Sequence, residues 1–219
     1  MRDKALAFVA AAAVLLSLYA VASVTPADAQ TGNRVLLGIN KEKWWWDAAS
    51  CNNATPSTGW SLPTSNAAVP ACATGSNTQR GTLDFADGAN SLSAQVQILL
   101  PSDWNGTNAP AGVDAAVYWH SSTTTGNVVW QLQTSCATAD ADTADQAFNA
   151  ANTVTDATQG TTNLVNLAAF GQITMTNCQA SDMLYIKVFR DPANGSDTMA
   201  GTARMIGLTL TYRRLIASS

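Results

Sequence analysis

The chain has 219 residues, 12% of them charged, and a formal net charge of −4. That balance excludes non-specific nucleic-acid binding, which needs a basic surface to neutralise phosphates. Glu42 is the only glutamate, and Thr, Ser, Asn, Ala and Gly fill the polar positions, a composition that suits β-structure in an extracellular setting.

The chain begins with MRDK, a short basic start, followed by an apolar run from Ala5 to Val24 and then TPADAQ. Ala27-Asp28-Ala29 has the small-x-small form that signal peptidase cuts after. Residues 1–29 therefore read as an export signal, with the mature chain starting near Gln30. An uncleaved anchor is the competing reading, because the run approaches the roughly 20 residues of a membrane span. The Ala-x-Ala site and the polar continuation favour cleavage, and no later segment is long and apolar enough to span. The rest is expected to be secreted, with no membrane association after cleavage. It divides into an N-terminal strand segment with an irregular loop (30–79) and a folded domain (80–219).

NRVLLGIN (33–40) reads as a strand, and KEKWWWD continues it after a bend. In a strand, successive side chains point to opposite faces, so Trp44 and Trp46 go one way and Trp45 the other. The plainest expectation is an N-terminal strand laying one or two indoles on the core. Two functional alternatives stand beside it. Trp45 with Trp60 could form a planar face for sugar rings, or the Trp44–Trp46 segment could be a subunit contact, since tryptophan is enriched at interface hot spots. The second fits the low charge and small polar surface better.

All four cysteines, Cys51, Cys72, Cys136 and Cys178, follow the signal, and an even number in an exported chain reads as disulfides. Four cysteines allow three pairings. Cys51–Cys72, closing the Pro/Ser/Thr-rich loop 52–80, with Cys136–Cys178, tying two strand ends, is preferred. No Cys-x-x-Cys pair or nearby histidine supports a metal site.

From Gly81 onward, short apolar runs alternate with turn signals, an all-β pattern. GTLDF (81–85), SLSAQVQILL (91–100), VDAAVYWH (113–120) and NVVWQLQTS (127–135) read as strands, with Trp130 facing the core. ATADADTADQAFNAA (137–151) has room for one helical turn. NTVTDA, NLVNLAA and QITMTN give further short strands, DMLYIKVFR (182–190) a central one, and ARMIGLTLTYRR (203–214) the last. A two-sheet antiparallel sandwich of the jelly-roll type buries such strands best. An immunoglobulin-like sandwich is the alternative, but its Cys…Trp…Cys order is absent.

Chemistry-bearing residues are sparse. His120 is the only histidine, and its neighbours Ser121 and Ser122 are adjacent in sequence rather than across a site, so a strand-end role is expected instead of a triad. The aspartates lie in turns, where carboxylates cap backbone amides. Asp140, Asp142 and Asp145, and the turn with Asp191, Asn194 and Asp197, are the weak candidates for calcium, which wants clustered oxygens. The sequons at Asn53, Asn105 and Asn194 read as turns. No cofactor is expected.

YWHSSTTTGNVVWQLQ, AFNAANTVTDATQGTTNLVNL and VFRDPANGSDTMAGTARMIGLTLTY carry a resemblance. Trp119, Gly126, Val128 and Trp130 form a tryptophan strand pair. Val154-Thr155-Asp156 follows as a turn, then Arg190-Asp191 and Asp197-Thr198 as a hairpin, with LPSDWNG (100–106) before them. This order resembles a family of jelly-roll-like accessory or decoration proteins of tailed phages and phage-like bacterial regions, over roughly residues 80–213. The resemblance implies an assembly or attachment module without shared enzymatic chemistry, and a structural role for Asp191 and Asp197, paired with Arg190 or Arg204. The export signal and the cysteines lie outside the family pattern and put the sandwich to use outside the cell. The expectation is an exported, non-enzymatic structural subunit that self-associates, as a homo-oligomer or filament. The alternative is a module that binds cell-surface polysaccharide.

Overall fold

A strand whose alternate positions are apolar must lay that face on another surface, and the alternation from Gly81 onward predicts paired sheets. The computed structural model describes residues 41–88, 90–104 and 113–213, with the backbone alone for Lys41 and Arg213. The expected export signal, the strand at 33–40 and the Asn105 sequon lie outside the described residues.

Twelve strands and no helix occur among the described residues. They are β1 (Lys41–Asp47), β2 (Ser50–Asn52), β3 (Thr55–Ser57), β4 (Val69–Thr74), β5 (Gln79–Phe85), β6 (Ser93–Leu99), β7 (Val113–His120), β8 (Asn127–Ala137), β9 (Asn152–Ala157), β10 (Asn166–Ile173), β11 (Met183–Arg190) and β12 (Ala203–Arg213). One sheet runs β10-β7-β12-β5-β4, with β1 also on β12; the other runs β6-β11-β8-β9; β2 and β3 make a separate hairpin. Strands β5 to β12 pair antiparallel as β5 with β12, β6 with β11, β7 with β10 and β8 with β9. One long hairpin rolled onto itself gives that nesting, with β7 on β12 and β8 on β11 closing the roll. This is the jelly roll.

The core lies between the sheets. Trp119 of β7 meets Trp130 of β8 edge to face at 6.2 Å, and Phe85 of β5 approaches Trp130 at 5.0 Å. β1 and β4 extend the sheet that β5, β7, β10 and β12 build, and the described residues from Glu42 onward form one compact unit. Both preferred disulfides are present. Cys51–Cys72 joins β2 to β4, and Cys136–Cys178 joins the end of β8 to the β10–β11 connection, with Cα–Cα distances of 5.7 and 5.2 Å.

Two local readings change. The strands expected at NLVNLAA and QITMTN are one strand, β10, because Gly171 takes φ 65° and absorbs an extra residue where the register on β7 shifts. Glycine tolerates that left-handed bulge where other residues resist it. The 137–151 segment makes a single turn, closed by the Asp142 N–H donating to the Thr138 carbonyl, and then runs along β8 with the Asn149 N–H on the Thr134 carbonyl.

The β2–β3 hairpin turns on Asn53 and Ala54, with φ 49° and 61°. Two central residues with positive φ suit a twisted hairpin. Asn adopts that backbone readily, whereas Ala incurs the steric cost of its Cβ. Ala54→Gly is expected to raise stability by about 0.5–1 kcal/mol, measured as an upward shift of the urea midpoint.

Candidate functional site

The tryptophan triplet divides as the strand period requires. Trp44 and Trp46 turn inward and pack against the core, 5.7 Å apart edge to face, with Trp44 also 4.6 Å from the Tyr212 ring. The Tyr212 hydroxyl donates to the Glu42 carboxylate, which fixes the start of β1 on β12. At its end, the Ala48 N–H donates to the Ile206 carbonyl at 2.8 Å.

Trp45 turns outward and is 44% exposed. Its indole N–H donates to the Asp47 carboxylate at 2.6 Å, and its ring meets Tyr118 edge-on at 5.2 Å, with 72° between the planes. Beneath it lies Gly207 of β12. A Cβ there would run into the Trp45 ring and the Trp46 carbonyl, so this close approach requires glycine. The registers place Gly207 opposite Tyr118 and Tyr118 opposite Leu167. An apolar row therefore crosses the outer face from Trp45 over β12 and β7 to Leu167, itself 49% exposed, with Leu164 and Val165 also exposed beside the start of β10. Ala169, Ala116 and Thr209 make the parallel row of small side chains.

The sugar platform of Trp45 with Trp60 does not form. Trp60 is 5% exposed, belongs to the core and donates its indole N–H to the Asp47 carbonyl at 2.9 Å. An aromatic side chain in an irregular loop buries its area wherever the core leaves room, and no period in the sequence signals that. Trp45 and Tyr118, being nearly perpendicular, present no common plane.

The calcium candidates do not converge either. Among the described residues no three His, Cys, Asp or Glu side chains are grouped as a metal would need. Asp142 accepts the Thr138 N–H at 2.9 Å and so staples its own turn, while Asp140 sits at φ 61° within it. In the second turn Asp197 pairs with Arg190, Asp191 accepts from the Gln131 amide at 2.8 Å and Asn194 accepts the Ser196 N–H. Arg204 pairs with Asp84 at 3.3 Å.

His120 is buried at the end of β7, with Nδ1 3.2 Å from the Asn163 side-chain oxygen. The Ser121 hydroxyl donates instead to the Thr202 carbonyl. Burial lowers the histidine pKa below its ordinary 6.5; the Asn163 bond opposes this, and the Arg80 and Arg204 charges add to it. The lowered pKa favours the neutral ring, which sits buried at the end of β7.

Tyr118, Leu167 and Gly207 escaped the sequence reading as site residues. Alternation puts Tyr118 opposite in facing to Trp119, so its outward direction was available. Its neighbours were not, because they depend on the register of strands far apart in sequence. Among the described residues no helix is long and apolar enough to cross a membrane, and two disulfides indicate an oxidising, extracellular-type environment. No protein-family model matches the chain, and no curated protein matches it.

Proposed function

We propose that this protein is an exported, non-enzymatic structural subunit that self-associates through the outer face of its six-stranded sheet. The observation that carries the reading is the apolar row Trp45–Tyr118–Leu167, in which the Trp45 indole is oriented by its hydrogen bond to Asp47 and by its seat on Gly207. Tryptophan fixed in one orientation loses little conformational freedom on docking, a property of interface hot spots. The low charge of the chain lowers the electrostatic cost of bringing copies together. The resemblance to phage accessory and decoration proteins points to the same class of function, and the export signal takes it outside the cytoplasm.

Sedimentation over a range of concentrations tests the proposal. The purified protein is expected to give a defined oligomer or filament, and Trp45→Ala to weaken association by at least about 30-fold, the equivalent of a hot-spot loss near 2 kcal/mol. A monomer at high concentration, or an assembly indifferent to Trp45→Ala, sinks it.

A further inference from the structure

The other sheet has an outer face of different chemistry. In register, Gln95 of β6, Lys187 of β11 and Gln133 of β8 form one row across it. Gln97, Tyr185 and Ser135 form the next row, and Ser93, Phe189 and Gln131 the one on the other side. Lys187 is the single charged residue among these positions. Its ammonium lies 5.2 Å from the centroid of the Phe189 ring and 6.0 Å from that of Phe148, which reaches over from the 138–151 segment. Among the described residues no carboxylate is within ion-pair distance of it; the salt bridges there belong to Arg190 and Arg204. Tyr185, Lys187, Phe189, Gln131 and Gln133 are all half-buried, and Gln97 is exposed.

We infer that this face binds an acidic polysaccharide, its sugar rings against Tyr185 and Phe189 and its carboxylates at Lys187. Tyr185 and Phe189 stand four residues apart on one strand, about 13 Å, so a ligand reaching both is an extended polymer rather than a single ring. The unpaired ammonium supplies the charge complementarity. It is positioned by two phenyl rings, whose faces attract a cation and limit its freedom before any ligand arrives. Gln131 and Gln133 donate their amides to Asp191 and to the Asn149 carbonyl, so the side chains that can both donate to and accept from a hydroxyl-rich ligand are Gln95 and the exposed Gln97. An added peptide strand is disfavoured at the β6 edge, because Ser61 and Ala67 already bridge to Gln95 and Ser93 there. This site is on the sheet opposite the apolar row and does not depend on it.

The test is calorimetric titration of the purified protein with polygalacturonate and with alginate, with dextran as the neutral polymer. An acidic polymer is expected to bind, more weakly as salt rises, because exposed charges are screened. Lys187→Gln, checked for an unchanged melting temperature, is expected to raise Kd about tenfold, as loss of one charge-assisted contact would. Trp45→Ala is expected to bind a short oligogalacturonate, too small to bridge two copies, as tightly as the parent protein does, which separates this site from the association face. Binding of neither acidic polymer, equal binding of dextran, or an unchanged Kd in Lys187→Gln overturns the inference.

Discussion

Arg190→Met is expected to cost about 3–5 kcal/mol of folding stability, the range for breaking a buried ion pair from one side. Arg190 is 0% exposed, and Asp197 beside it is almost fully buried. A guanidinium has five N–H donors, and here each has an acceptor. Nε donates to Asp197 Oδ2 at 2.9 Å and Nη2 to Asp197 Oδ1 at 2.6 Å. Nη2 also reaches the Met199 carbonyl, and Nη1 the carbonyls of Phe85 and Gly201. Asp197 Oδ2 in turn accepts the Val129 N–H. One side chain thus joins β5, β8, β11 and the connection leading into β12. Methionine fills the volume but strands a carboxylate and three carbonyls. Arg190→Lys is expected to recover little, since an ammonium lacks the planar fork. Urea denaturation measures both. A loss below about 1 kcal/mol, typical of an exposed pair, would mean that the network is not formed.

The motif residues that carry the resemblance meet in space at this latch and next to it. A Cβ on Gly126 would run into the backbone of Thr198 and Met199, and both of those N–H groups donate to the Asn127 carbonyl. The Trp119 indole donates to Asp156 at 2.6 Å. These spaced residues are therefore cross-links of the sandwich, whatever each copy of such a sandwich goes on to do.

Legibility followed locality. The strands and the split of Trp44 and Trp46 from Trp45 could be read because alternation is a property of neighbouring residues. The preferred disulfides also rested on local context, a loop to close and strand ends to tie. The burial of Arg190 could not be read from DMLYIKVFR, since its acceptors come from Phe85, Asp197, Met199 and Gly201. Nor could the burial of Trp60, because a loop has no period. The apolar row needed three registers at once, and the Gln95–Lys187–Gln133 row needed two. In each case the missing information was pairing between distant segments, which one strand's own pattern does not encode.

Removing the Cys136–Cys178 bridge by paired alanines is expected to cost about 4 kcal/mol, against about 3 kcal/mol for Cys51–Cys72, from the loop entropy released to the unfolded chain. The difference comes from sequence separations of 42 and 21 residues. Alanine is the right replacement at Cys136, which is buried with the core beside Leu184, because serine would bury a hydroxyl there. Urea titration of the two double variants gives the ranking, and a larger loss from the Cys51–Cys72 pair would contradict it. Loss of both bridges, about 7 kcal/mol by the same relation, would remove much of the 5–15 kcal/mol that ordinarily holds a domain folded. The protein is therefore expected to unfold at far lower urea in dithiothreitol and to accumulate poorly in a reducing cytosol. Such dependence ties the fold to an oxidising compartment. A midpoint unchanged by reduction would break that tie and leave the expected export signal as the remaining argument for a role outside the cell.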